Sequence, residues 1–518
     1  MTPTTPPTVA IAGGGLAGLA AACALADCGL RVTLLERRPY LGGRASSYEH
    51  PGTGEVVDNC QHVLFRTCTN LIEFYRRIGV EGRIRWYEDM TFVEPGGRST
   101  VMHASPLPAP LHTGPSFLRF PFLSIADKLA ISRAIAALTL AVPADSGISF
   151  LDWCRTLRQT PGAIERFWKP ILVSALSEEL DLISVPAAAQ VVRESMKSRE
   201  ARHMGIPAIP LTDLYNAAGE YIRARGGEIR LRHSLESFCA EPSSLPASLD
   251  HSQVKIRVSD KDVGEIKEES FDHLILALPF NTIAKVLPHT PAAAPLRDHL
   301  THFASCPITG IHLWFDREIT PLDHAVLLDR TVQWMFHKSR LLEKNPPKEK
   351  EEAQDLKGRG FSRAPEATNL VIPNRSARIG EESAYAPIPS YLELVVSASK
   401  TLIDKSRAEI VDLALKEVRE FFPAAREAKL LKSAVIKEVH ATYSARPGLE
   451  AHRPPQTTSW PRVFLAGDWT ATGWPATMEG AVRSGYLAAQ AVLRFAGIRR
   501  KNFISADLAP TGLMRLLH

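Results

Sequence analysis

Val9-Ala-Ile-Ala-Gly-Gly-Gly-Leu-Ala-Gly18 runs directly into an alanine-rich stretch, and the reading of that passage decides the fold. Residues 8–12 have the pattern of a short buried strand. Gly13 turns the chain where a side chain would clash, Gly15 lacks the Cβ that would hold a pyrophosphate off the backbone, and Gly18 lets the next helix pack close to the strand. A helix over 16–27, opening on Leu16 and Ala17, aims free N–H groups and its positive dipole end at the phosphates. Residues 31–35 read as a second strand. Glu36 follows eighteen residues after Gly18, where a carboxylate reaches ribose hydroxyls, and Arg37 is beside it. Strand, glycine turn, helix, strand and acid in this order predict an α/β, Rossmann-like dinucleotide-binding domain. An acid at the ribose suits NAD and FAD alike.

Bulk properties bound the rest. With 518 residues the chain has room for two or three domains with substantial cores. A net charge of +5 is too modest to imply a nucleic-acid partner. Seven cysteines, an odd number without CxxC spacing, argue against a disulfide framework or a metal site and for a reducing compartment. The first eight residues are rich in Pro and Thr and carry no basic segment, so they do not read as a signal peptide. The longest apolar run, 134–144, is well short of the ~18 residues that would span a bilayer. These features predict a cytoplasmic protein, soluble or peripheral to the inner face of the cell membrane. Candidate membrane contacts are Arg499-Arg500-Lys501 with Phe503 and Ile504, and the stretch 117–122, where Phe117, Leu118, Phe120 and Phe122 surround Arg119 and Pro121.

The dinucleotide-binding domain is expected in three pieces, 1–90, 208–285 and 438–497. The second contains a helix over 211–225 and strands at 226–231 and 271–277. Residues 91–207 and 286–437 are assigned to a discontinuous α+β substrate domain, helical over 124–204, with strands at 308–315, 331–336 and 391–396. Residues 343–389, containing Asn-Pro-Pro-Lys-Glu-Lys-Glu-Glu, read as a disordered insertion, 241–269 as a hairpin with ragged loops, and 498–518 as a tail.

The other end of the chain carries a second signal. Val463-Phe-Leu-Ala-Gly-Asp468 is a strand closing on Gly467 and Asp468, and Thr477-Met-Glu-Gly-Ala-Val-Arg-Ser-Gly485 opens the last long helix. Together with Gly43 and Arg44, these segments resemble the FAD-binding signature of the flavin amine oxidase and carotenoid desaturase superfamily. The resemblance implies that Asp468 contacts the ribityl-phosphate region, and that the helix bearing Met478 and Ala481 points its N-terminus at the flavin ring. A positive helix end there would stabilise the negative charge of a reduced flavin. No cysteine follows Cys306, so a cysteinyl-flavin bond at this motif is impossible.

Two departures from the amine oxidase pattern narrow the chemistry. The aromatic residue that those enzymes place before Met-Glu-Gly-Ala is Thr477 here, and the strand at 308–315, where their lysine would sit, has none. A small residue at 477 leaves room over the flavin ring for a bulky apolar chain. Further segments, Asp58-Asn-Cys-Gln-His62, Glu94-Pro-Gly-Gly-Arg98, Ser105-Pro-Leu-Pro-Ala-Pro-Leu-His112, Ser444-Ala-Arg-Pro-Gly448 and Gly467-Asp-Trp-Thr-Ala-Thr-Gly-Trp-Pro-Ala476, resemble the squalene-associated FAD-dependent desaturases, a family that includes the hydroxysqualene dehydroxylases of bacterial hopanoid biosynthesis. The resemblance implies reductive dehydroxylation of hydroxysqualene to squalene. Protonation lets the allylic hydroxyl leave as water, and N5 of reduced FAD delivers hydride. Asp58 and His62 are the candidate general acids, and Thr477 borders the reacting centre. Arg446 and Arg453 are candidate cofactor or substrate contacts, and Trp469 and Trp474 candidate walls of an apolar tunnel.

Two rival readings stand beside this one: an oxidative carotenoid or isoprenoid desaturase, and a non-enzymatic prenyl-lipid binding protein related to Rab GDP-dissociation inhibitors. No second dinucleotide fingerprint is present, so NAD(P)H or another electron donor would dock transiently at the flavin.

Overall fold

A computed structural model describes residues 6–141, 143–240, 252–343, 390–499 and 501–516. At its centre is a five-stranded parallel sheet in the order Glu228–Leu231, Arg31–Glu36, Thr8–Ala12, His273–Leu276, Val463–Leu465. The three inner strands are almost wholly buried because helices and a second layer cover both faces, which explains their unbroken apolar runs. Helix Leu16–Ala26 is buried along its whole length and packs on helix Met478–Phe495. At that crossing a Cβ on Gly485 would lie 2.2 Å from the carbonyl oxygen of Ala17. Small residues on both helices therefore draw the two ends of the polypeptide together.

The second large element is a seven-stranded sheet ordered Leu430–Tyr443, Ser305–Phe315, Ser390–Ser397, Trp334–His337, His324–Leu327, Met90–Val93, Ser99–Met102. Its pairs are antiparallel except the one between His324–Leu327 and Met90–Val93. The helices between residues 125 and 196 pack beside it around Trp168, Phe150, Leu172 and Ile131. An antiparallel three-stranded sheet, His233–Cys239, Val254–Asp260, Ile266–Phe271, covers the Trp460 side of the parallel sheet.

The expected helix at 211–225 is Leu211–Arg223, and the strands expected at 308–315 and 391–396 are present, slightly longer. The division drawn at residue 438 falls inside strand Leu430–Tyr443, which pairs with Ser305–Phe315 on both sides of a register shift, at Glu438 and again at Thr442 and Tyr443, so backbone pairing carries the strand's end into the seven-stranded sheet. The 343–389 insertion, apart from Glu343, and part of the 241–269 hairpin lie outside the described residues. The tail docks: Phe503 is buried against Tyr486. Phe120 and Phe122 are also buried, stacked on each other and tilted against Phe92, and Phe117 is half-buried against Phe120 and Phe167, so these phenylalanines pack into the core.

Candidate active site

The site is built where the first parallel strand ends. Gly13 has φ +112°, and its N–H donates to the Leu35 carbonyl at 2.8 Å. A Cβ at Gly18 would sit 1.9 Å from the Gly13 carbonyl oxygen, so helix and turn are in direct backbone contact. Gly15 differs, since a Cβ there would meet only the Cα of Gly43, at 3.8 Å. The space in front of it belongs to the cavity, which is the cradle a pyrophosphate needs. Glu36 is buried and accepts from the Gly14 N–H (2.7 Å) and the Arg38 N–H (2.8 Å), which fixes its carboxylate at the cavity wall.

The C-terminal motif closes the same cavity. Gly467, φ +148°, donates its N–H to Ser484 Oγ at 2.8 Å, and a Cβ there would collide with the Trp469 indole. Arg44 bridges to Asp468 at 2.7 Å and donates to the Ala441 carbonyl at 2.8 Å, tying the two motifs across the cavity. Thr477 is the N-cap of helix Met478–Phe495, its Oγ1 accepting from the Gly480 N–H at 3.1 Å. The hydroxyl is thereby committed to the helix, while Thr477 still borders the cavity as a small wall beside Met478 and Ala481.

Gly13, Gly15, Leu16, Ala17, Glu36, Arg37, Gly43, Arg44, Gly467, Asp468, Met478 and Ala481 all line this one cavity of about 360 Å³, with Gly18 directly behind it. Thr477, Cys60, His62, Val63, Ala175 and Ile308 line the same cavity. Arg453 does not reach the cavity. It is buried and donates to the Asp468 and Thr470 carbonyls and to Thr472 Oγ1, bracing the motif from behind. Trp469 is core, its Nε1 donating to the Leu278 carbonyl.

Asp58 and His62 part company. Asp58 does not line the cavity. It is buried, accepts from Lys338 Nζ at 2.6 Å and from Ser47 Oγ, and burial alone would raise its pKa; the Lys338 charge and these hydrogen bonds overcome that and hold it below the usual carboxylate range. A carboxylate held ionised this way donates no proton, so the acid role expected of it is corrected to one of bracing the 59–62 loop. His62 does line the cavity. Its Nδ1 lies 2.7 Å from the Cys60 carbonyl, an acceptor, so that nitrogen carries the hydrogen and Nε2 is the nitrogen left for exchange. Burial pushes its pKa below the ordinary histidine range, so the ring is neutral near pH 7.

Lys338 and Glu393 went unnoticed in the sequence. Lys338, on the short helix Lys338–Leu341, also donates to Gln61 Oε1 at 2.8 Å and lies 3.4 Å from Glu393 Oε2. Glu393 is fully buried, and burial pushes its carboxyl up to about 8. Strand Ser305–Phe315 has no lysine; the buried lysine behind the 59–62 loop comes from elsewhere. Glu479, another buried acid, accepts from the N–H groups of Asn70 and Leu71 and so caps helix Thr69–Arg77.

The model of the family described as flavin containing amine oxidoreductase matches residues 16–493. A 15-cis-phytoene desaturase of Synechococcus elongatus is 27% identical over 502 residues, covering 94% of this chain and 95% of the relative. The probable zeta-carotene desaturase of the same organism is 27% identical over 511 residues, covering 94% and 98%. Among solved structures, putrescine oxidase bound to putrescine aligns with a TM-score of 0.65 at 16% identity, covering 95% of this chain and all of the other. An oxidoreductase from Methanosarcina mazei aligns at 0.63 and 16%, covering 94% and 99%. These two likenesses concern the fold. Both glycine-rich motifs line one cavity, and the family match with its enzyme relatives sets the lipid-chaperone reading aside: the chain belongs to the flavin containing amine oxidoreductase family and is an FAD-dependent oxidoreductase.

Proposed function

We propose that the protein moves hydride between FAD and a long, apolar isoprenoid. The observation that carries this reading is the make-up of the cavity wall, where the apolar residues Cys60, Val63, Ala175 and Ile308 share one lining with the small Thr477 and with Met478 at the start of helix Met478–Phe495. Two of the cavity's carboxylates are engaged, Glu36 with backbone N–H groups and Asp468 with Arg44. No lysine and no aromatic cage face the reacting space among the described residues that line it, which disfavours an amine substrate.

FAD, when bound, supplies a two-electron hydride carrier. Gly13, Gly15 and the N-terminus of helix Leu16–Ala26 would hold its pyrophosphate and Glu36 its ribose. Arg44 and Asp468 would flank the ribityl chain, and the N-terminus of Met478–Phe495 would face the ring. Cys60, Val63 and Ile308 exclude water from the substrate side. His62 holds or accepts a proton at Nε2.

Reductive dehydroxylation of hydroxysqualene to squalene is the reaction favoured by the segments at 58–62 and 467–476. The C–O bond breaks, the hydroxyl leaves with one proton as water, and hydride forms the new C–H bond. The reducing equivalents come from NAD(P)H or another donor. Oxidative desaturation of a carotenoid precursor is the second reading, favoured by the named relatives and by the neutral imidazole of His62, which suits a proton acceptor. Anaerobic mixing of the reduced protein with hydroxysqualene tests the first: squalene with reoxidised flavin is expected, while an unchanged flavin refutes it. Oxidised protein with phytoene tests the second in the same way.

A further inference from the structure

Ser177 stands where a helix usually ends on glycine. It closes helix Lys169–Leu176 in the left-handed region, φ +51° and ψ +34°, its N–H donating to the Val173 carbonyl at 2.8 Å. Helices that end this way mostly carry Gly or Asn there, because a Cβ strains that conformation. Among the described residues five other than glycine have positive φ, and of these Ser177 alone lines the cavity. Its neighbour holds it in place. Glu178 is fully buried and accepts from Lys400 Nζ at 2.5 Å, from the Glu179 N–H at 2.8 Å and from the hydroxyl of Ser444, which opens the 444–448 segment. Backbone kept in a costly conformation at a cavity wall points to a function for the side chain it presents.

The hydroxyl of Ser177 has no hydrogen-bond partner among the described residues, although the residue is only 6% exposed, and the space that this remaining surface borders is the cavity. Ser174, one helical turn earlier, lines the cavity as well. Its Oγ accepts from Trp334 Nε1 at 2.8 Å. An indole only donates, so that bond fixes the Ser174 oxygen as acceptor and leaves its O–H free to donate. Ala175, Cys60, Val63 and Ile308 make the wall shared with the pair apolar. Both serines come from the helices beside the seven-stranded sheet, not from the parallel-sheet half that carries the glycine cradle. Polar groups placed sparsely in an apolar wall, with hydrogen bonds left to make, are matched by a polar atom of the ligand. A hydrocarbon has no such atom. We propose that Ser174 and Ser177 bind the hydroxyl oxygen of the substrate, Ser174 as donor, and so select an oxygenated isoprenoid over its hydrocarbon counterpart. The inference rests on the dehydroxylation reading and names the residues that recognise the group to be lost.

Competition between two lipids tests it. Oxidised holoenzyme, whose flavin has no hydride to give, is incubated with equal amounts of hydroxysqualene and squalene and passed through gel filtration, and the bound lipids are extracted and quantified. Squalene lacks only the oxygen. Bound hydroxysqualene should exceed bound squalene at least about tenfold, the worth of two neutral hydrogen bonds. In the double variant Ser174→Ala with Ser177→Ala that ratio should fall to about threefold or less, with the flavin spectrum unchanged. Ser177→Gly suits the left-handed backbone without strain, so it should melt no lower than wild type and still weaken the preference, which separates recognition from folding. Equal binding of the two lipids by wild type, no binding of either, or an unchanged ratio in the double variant overturns the proposal. The reaction is judged separately with reduced protein. Preference for hydroxysqualene without its conversion leaves the site standing and refutes the dehydroxylation, whereas conversion without the preference refutes the site and leaves the reaction standing.

Discussion

Lys338 Nζ sits 2.6 Å from Asp58 Oδ2 with both side chains buried, and this pair joins the strand leading out of the nucleotide-binding half to the seven-stranded sheet. The 59–62 segment that lines the cavity hangs between them, since Gln61 is also held by Lys338. Positions of Cys60 and His62 at the reacting space therefore depend on a charge pair behind them.

Removing one member should cost more than the pair contributes. Lys338→Met leaves the Asp58 carboxylate buried without its cation, which costs about 3–5 kcal/mol of stability. The double change of Asp58→Asn with Lys338→Met removes both charges and should recover a substantial part of that loss. Denaturant titration of the two singles and the double gives the coupling; a double variant no more stable than Lys338→Met would show that an uncompensated Asp58 charge is not the source of the loss.

Glu393 makes stability fall with pH. Its carboxyl is raised to about 8 by burial, above an unfolded value of about 4.3, so its contribution is complete below the unfolded value and is lost as pH rises toward 8. Asp58 acts in the other direction, its contribution present above about 3.9 and lost as pH falls through its lowered folded value. Glu393→Gln should flatten the stability curve between pH 5 and 8, removing a slope that approaches about 1.4 kcal/mol per pH unit for one proton. Melting scans of both proteins across that range measure it. Parallel curves would mean that Glu393 stays ionised.

The cofactor cradle could be read from the chain because its parts are contiguous and each glycine answers a local steric demand. Gly18 abuts Gly13, and Gly15 fronts open space. The charged cluster could not. Asp58, Lys338 and Glu393 come from three remote segments, and the lysine follows its partner by 280 residues. One trace was present: Glu393 is the lone acid in Tyr391-Leu-Glu-Leu-Val-Val396, a strand buried on both faces, and an ionisable group there needs a partner or a proton. Asp58, four residues before His62 in sequence, invited a shared role, but Asp58 ends strand Val56–Asp58 and is held behind the loop by Lys338, while the irregular segment that follows leaves His62 in the cavity.

Gly15 and Gly18 should fail differently. A Cβ at position 18 meets the Gly13 carbonyl oxygen at 1.9 Å, so Gly18→Ala forces helix and strand apart and should yield little folded protein. A Cβ at position 15 meets only Gly43, at 3.8 Å, so Gly15→Ala should fold with near wild-type circular dichroism. Its methyl group instead enters the space a pyrophosphate would use, and the protein should purify with little or no bound flavin. Visible absorbance per folded protein separates the two; full flavin occupancy in Gly15→Ala would place the phosphates elsewhere.

If His62 handles the proton, the sign of a pH limb should report the direction of the chemistry. Its Nδ1 hydrogen is held by the Cys60 carbonyl, so only Nε2 changes protonation, and burial sets that change below the ordinary histidine range. If the reaction expels a hydroxyl as water, the imidazolium is the donor and single-turnover rates should climb as pH falls through that region. If it desaturates, the neutral ring is the acceptor and the rates should drop over the same interval. In both cases His62→Ala should abolish the limb and slow the step by about 10²–10⁴-fold while leaving flavin content intact. A limb that persists in His62→Ala assigns the proton to another group and removes His62 from the chemistry.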